Sequence, residues 1–213
     1  MARIQNGILD SYSGKVGTVV GSNWRKIKYL RALPKKVKRV ATAKQLEQRA
    51  KFTLAIKFLK GIKNIVNIGF QDKKRTNTTG FNLALSSLIQ KGISGKFPTY
   101  QIEYKDLLIS DGSGKELIDV KVDALQKNKI KVNWQFDLGS FFGAEEDQII
   151  VLFYNKNKNQ FFGSDNAKRK DKVAELTVPA NYSQDSIIGW VFSVSKKGFE
   201  TSKSQFLGES KLG

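Results

Sequence analysis

From Tyr100 onward the chain is cut into short runs of alternating apolar and polar residues, and this pattern limits what it can fold into. The runs are Gln101–Ser110, Asp119–Leu125, Lys129–Phe136, Gln148–Tyr154, Gln160–Gly163, Val173–Val178 and Ile187–Ser195, separated by Gly- or Asn-rich turns. Alternate residues of a strand share a face, so runs of this length close a core by packing one sheet on another. A β-sandwich is therefore expected over residues 99–213. Ile130, Val132, Trp134 and Phe136 alternate most cleanly, which places Trp134 on an inner face.

The first half has a different period. Thr42-Ala-Lys-Gln45 has the form of a capping box, so a helix should start near Ala43. Leu46, Ala50, Leu54, Phe58, Ile62 and Val66 recur every four residues, and Phe52, Ala55, Ile56, Leu59 and Ile65 widen the stripe. This helix should end near Gly69, with Gly61 as a weak point along it. After a polar loop, Phe81, Ala84, Leu85, Leu88 and Ile89 mark a second helix, stopped by Gly92. The Gly95-Lys-Phe-Pro98 punctuation is read as a domain boundary, giving modules 1–98 and 99–213.

Ahead of the helices lies a glycine-punctuated hairpin. Gly14 to Gly21 forms its first strand, Ser22-Asn23 its turn and Trp24 to Leu33 its second strand. In that reading Trp24, Lys26, Lys28 and Leu30 point one way, and Arg25, Ile27, Tyr29 and Arg31 the other.

Charge is segregated in the same way. Residues 1–98 hold 21 Lys+Arg against Asp10, Glu47 and Asp72, which accounts for the whole net charge of +18; residues 99–213 carry 16 of each sign. A field confined to one module marks a surface suited to an anionic partner. The interval Ser11–Leu46 is free of acid. Within it Lys15, Arg25, Lys26, Lys28, Arg31, Lys35, Lys36, Lys38 and Arg39 are the candidate polyanion-binding residues, able to neutralise phosphates and release counterions. Trp24 and Tyr29 are candidates to stack on bases. The competing reading is a solvated hairpin face with Trp24 in the core. Arg3 and Lys73-Lys74-Arg75 extend the patch or simply solubilise loops.

The chain has no Cys and no His. Disulfides, thiolate nucleophiles, cysteine zinc sites and His-based triads are thereby excluded, and no catalytic residue, metal site or cofactor is expected. Glu145-Glu146-Asp147 is the densest acidic cluster, but cation loops spread their ligands over alternating positions, so it reads as a solvated loop. Gly14-Lys15 and Gly95-Lys96 lack the rest of a phosphate-binding P-loop. The N-terminus lacks the apolar core of a signal peptide, and no window approaches the ~20 apolar residues of a transmembrane helix. A cytoplasmic protein is expected.

Gly14-Lys-Val-Gly-Thr-Val-Val-Gly21, Trp24, Tyr29-Leu-Arg31, Pro34-Lys35, Gln45-Leu, Gln48-Arg-Ala-Lys-Phe52 and Ile68-Gly-Phe70 form an ordered set. In this set the chain resembles, over nearly its full length, a Bacteroidetes family labelled domain of unknown function 6266. The resemblance implies a basic N-terminal region joined to a β-rich C-terminal region, and supplies no activity. Tyr182, just before the Ile187 run, resembles the corner tyrosine of immunoglobulin-like or fibronectin type III sandwiches.

The expected fold is α+β: an N-terminal β-hairpin plus two helices, followed by a C-terminal immunoglobulin-like all-β sandwich. The expected role is non-enzymatic binding of nucleic acid or another polyanion, with the sandwich making protein contacts. The rival is a structural subunit of a homomeric particle, filament or phage-like assembly, because isolated hairpins are marginal and strand edges invite addition. A homo-oligomer is expected in either case.

Overall fold

The structure is a computed structural model and describes residues 2–4, 12–25, 27–35, 40–71, 78–123, 129–136, 145–182, 184–198 and 200–212. The chain divides into two compact units, Met1–Thr42 and Ala43–Gly213.

The first unit is a four-stranded antiparallel sheet. Its strands are β1 (Ala2–Ile4), β2 (Gly14–Val16), β3 (Val19–Trp24) and β4 (Ile27–Ala32), in the order β1-β4-β3-β2. The turn expected at Ser22-Asn23 is not one, since both residues lie inside β3. The chain reverses instead at Gly17-Thr18 and after Trp24, where Gly17 and Arg25 take φ of 57° and 46°. Tight hairpin turns need positive φ to match the strand twist, and Gly17 meets that demand without steric cost. Trp24 thus pairs with Ile27 and shares a face with Tyr29 and Arg31, not with Lys28 and Leu30 as expected. Gly21 is the only buried residue described in this unit; a Cβ there would collide with the Tyr12 ring and carbonyl.

The second unit begins with α1 (Ala43–Leu59), at the expected residue. A 3-10 turn at Lys60–Ile62 interrupts it before α2 (Lys63–Gly69). The interruption falls at Gly61, where a Cβ would press to 3.0 Å of the Phe161 ring. Burial along α1 starts only at Ala55, and Leu46 and Phe52 stay exposed despite their place in the apolar stripe. Helix α3 (Gly80–Lys91) is capped by Thr79, whose side chain accepts the Asn82 N–H at 3.2 Å, and it ends at Gly92 as expected.

A short hairpin follows, β5 (Ile93–Lys96) with β6 (Thr99–Ile102). It stands where a domain boundary is expected near Pro98, and of the strand expected over Gln101–Ser110 only Gln101 and Ile102 belong to it. Beyond β6 the backbone leaves the ladder through a 3-10 turn at Tyr104–Asp106. Its polar groups then find side chains, as where the Ile109 N–H donates to Ser204 Oγ at 3.0 Å.

The remaining strands are β7 (Ile118–Asp123), β8 (Lys129–Gln135), β9 (Gln148–Asn155), β10 (Gln160–Lys168), β11 (Val173–Thr177), β12 (Ser186–Val194) and β13 (Gln205–Lys211). They form two antiparallel sheets, β10-β9-β12-β13 and β11-β8-β7, in an immunoglobulin-like sandwich. Strand β13 is not among the expected runs; it is an edge strand whose Gly208, Glu209, Ser210 and Lys211 hide its apolar alternation.

Strands β9 and β12 are buried along almost their whole length, because the four-stranded sheet is covered on both faces. Ile149, Val151, Phe153, Ile187 and Val191 face the core shared with β8 and β11, which includes Trp134 as expected. Ile150, Leu152, Ile188, Trp190 and Phe192 face a second core built with Ala55, Phe58, Leu59, Ile62, Val66 and Leu88 of the helices. Three layers result: helices, four-stranded sheet, three-stranded sheet. The helices therefore belong with the sandwich, and the compact units part at Thr42, not at residue 98 as the charge pattern suggested. Apolar area decides that partition; surface charge does not report it.

Candidate polyanion-binding sheet

Cross-strand partners in a ladder share a face. Through the pairs Lys15–Val20–Arg31, Ser22–Tyr29 and Trp24–Ile27, the first unit gathers Lys15, Trp24, Tyr29 and Arg31 on one face of its sheet. Lys15 and Arg31 are exposed, Tyr29 is half-buried and Trp24 is 48% exposed. Trp24 is therefore not a core residue. Arg25, exposed in the turn, sets its guanidinium carbon 5.4 Å from the Trp24 ring centroid, within cation–π range. β1 runs along the far side of β4, with Arg3 at the register position of Tyr29.

The other candidates divide. Lys28 is half-buried and sits on the opposite face, beside Asn23 in the register, so the structure separates it from Arg31 and Trp24. Lys35 is exposed just beyond β4. Lys26, Lys36, Lys38 and Arg39 lie outside the described residues, as do Lys73, Lys74 and Arg75. The described surface thus holds Lys15, Arg25, Arg31 and Lys35, with no carboxylate anywhere in the Ser11–Leu46 interval. Cations arrayed on a sheet beside two aromatic rings can neutralise phosphates and offer ring faces to bases.

A profile of one sequence family matches residues 11–208, nearly the whole chain. The chain belongs to DUF6266, a family of unknown function. Among solved structures, an fn3 domain of human contactin 1 is similar at 12% identity and a TM-score of 0.30, over 48% of this chain and 81% of that one. No curated protein matches it.

In this DUF6266 chain only Glu145 of the acidic cluster fits the solvated loop that sequence suggests, being exposed in the turn before β9. Glu146 receives Lys168 Nζ at 2.6 Å and Lys170 Nζ at 2.5 Å, and these two ammonium groups hold its carboxyl down to about 2. Asp147 is buried, 3.4 Å from Nε of the buried Arg169. Tyr182 occupies its expected place, buried before β12, but its hydroxyl donates to Gln160 Oε1 at 2.6 Å, whereas the corner bond of immunoglobulin-like folds goes to backbone. Sequence reasoning also missed a cleft lined by Lys57, Tyr104, Tyr154 and Phe161, whose members are up to about a hundred residues apart in the chain. No local motif links them. Among the described residues no group of three or more metal-ligand types is clustered, and no helix is long and apolar enough to cross a membrane.

Proposed function

We propose that this DUF6266 protein is a non-enzymatic binding protein whose N-terminal sheet engages nucleic acid or a similar polyanion, with the sandwich unit left for protein contacts. The observation that carries the reading is the shared face of Lys15, Trp24, Tyr29 and Arg31 in an interval without acids. Recognition runs through phosphates and is indifferent to sequence, because Lys15, Arg25 and Arg31 are suited to backbone contacts, which position a protein without reading bases. The compartment would then be one that holds nucleic acid, the cytoplasm or a phage-like particle.

The test is binding of unrelated single- and double-stranded oligonucleotides to the full chain over a range of salt. Affinity should fall steeply with salt, and joint replacement of Lys15, Arg25 and Arg31 by Gln should flatten the dependence for every sequence alike. Binding that is unchanged in that variant removes the sheet from the site.

A second reading, a structural subunit of a homomeric assembly, is favoured by one observation. The first unit leaves Val16, Val19, Trp24 and Leu33 exposed and buries only Gly21 among its described residues, so it lacks a core of its own. Light scattering on nuclease-treated protein separates the readings: a large species that survives high salt supports assembly, and a monomer at high concentration counts against it.

A further inference from the structure

The second unit contains a cleft of about 500 Å³, a size suited to a small molecule. Its floor is aromatic. Phe58 of α1 meets Tyr154 of β9 and Phe161 of β10 edge to face, with centroids 5.1 Å apart in both pairs and interplanar angles of 69° and 72°. Tyr154 and Phe161 lie 4.7 Å apart. Such interlocked rings hold their positions before any ligand arrives. Gly61 sits at the edge of the cleft, and its missing side chain leaves the Phe161 ring open there.

The polar part of the lining has one sign. Lys57 projects from α1 and Lys156 from the turn after β9, and no acidic residue lines the cleft. Lys156 Nζ lies 5.8 Å from the Tyr104 ring centroid and 3.0 Å from Glu209 Oε1 outside the lining, so its own charge is partly matched. Lys57 makes no ion pair among the described residues. The Tyr154 hydroxyl, which burial keeps protonated, donates to Asn159 Oδ1 at 2.8 Å and so fixes an amide at the rim.

We propose that this cleft binds a small molecule that joins a planar ring to an anionic group. The ring packs against Tyr104 and Phe161, and the anion is held by Lys57 with help from Lys156. An aryl carboxylate and a mononucleotide share this chemistry. The site is built from the second unit alone and does not depend on the polyanion reading of the N-terminal sheet.

The experiment titrates the full chain with adenosine 5′-monophosphate and, separately, indole-3-acetate, read by NMR shifts of assigned side chains. At least one probe should move Lys57, Tyr104 and Phe161 at millimolar concentration or below, and its neutral counterpart, adenosine or 3-methylindole, should bind about tenfold more weakly. Lys57→Glu should weaken the anion by about tenfold and leave the neutral ring unaffected. A response to the nucleotide alone names that source, and a response to the indole acid alone names the other. Absence of shifts with both probes overturns the proposal, as does anion binding that Lys57→Glu leaves intact. Should that variant fail to fold by circular dichroism, Lys156→Gln is read in the same way.

Discussion

Arg169 holds its Nε 3.4 Å from the Asp147 carboxylate, with both side chains almost fully withdrawn from water. The guanidinium also donates to the Lys115 carbonyl and to Ser193 Oγ, each at 2.8 Å, while the Arg169 carbonyl accepts the Trp134 indole N–H at 2.7 Å. One residue thus ties β8, β12, the residue that leads into β9 and the 115–116 segment together. Removing one partner of a buried pair leaves the other charge without compensation, at a cost of about 3–5 kcal/mol. Arg169→Met should lose about that much stability in urea unfolding, and Arg169→Met with Asp147→Leu should recover much of it. A single variant as stable as wild type would contradict this account.

Trp24 is 48% exposed, whereas Trp134 and Trp190 are buried at 3% and 0%. Acrylamide should therefore quench one tryptophan of the three preferentially, and a single-stranded oligonucleotide should shield it. If bases stack there, Trp24→Ala should cost about 1–3 kcal/mol of binding. Quenching that the oligonucleotide leaves untouched takes Trp24 out of the interface.

Burial, and then the neighbouring Tyr104, push the Tyr154 phenol up from 10.0 to about 12. The folded state therefore favours the neutral form. Its contribution is intact below pH 10.0 and is lost as pH climbs from there toward about 12. In an ultraviolet titration Tyr154 should ionise late, with Tyr104 and Tyr100 also held above the ordinary phenol value by desolvation, and Tyr154→Phe should remove one late step and soften the alkaline loss of stability. Six phenols that ionise together near their ordinary value would refute the burial argument.

Because the helices share a core with β9 and β12, a fragment covering 43–213 should fold, whereas one covering 99–213 should aggregate. The shorter fragment presents Ile150, Leu152, Ile188, Trp190 and Phe192 to solvent. Circular dichroism and light scattering of the two fragments check this, and a monomeric, folded 99–213 fragment would show that the two layers are separable.

Legibility in the sequence followed the range of the interactions. Strands β8, β9, β11 and β12 were readable because each carries its own alternation or apolar run, and α3 because Gly92 closes it. The hairpin turn lies a few residues beyond its expected place, since Ser22-Asn23 has turn chemistry but Arg25 adopts the positive φ. That small shift carries Trp24 onto the face of Tyr29 and Arg31 and away from Lys28, with which it is expected to share a face. The charge boundary near residue 98 is real in composition and has no structural counterpart, because the α1 stripe around Phe58 packs on Tyr154 and Phe161, far along the chain. The Arg169–Asp147 pair and the cleft depend on such distant contacts as well. No window of sequence contains them.

The face of the β10-β9-β12-β13 sheet turned away from β8 is closed off by the molecule's own helices. An open sheet face is a broad platform on which an immunoglobulin-like domain can receive another protein. In this chain that platform is occupied from within. The broad face still open on the second unit is the outer one of β11-β8-β7, where β8 turns Lys129, Lys131, Asn133 and Gln135 outward, so a protein docking there would meet polar and charged side chains and not a wide apolar plane.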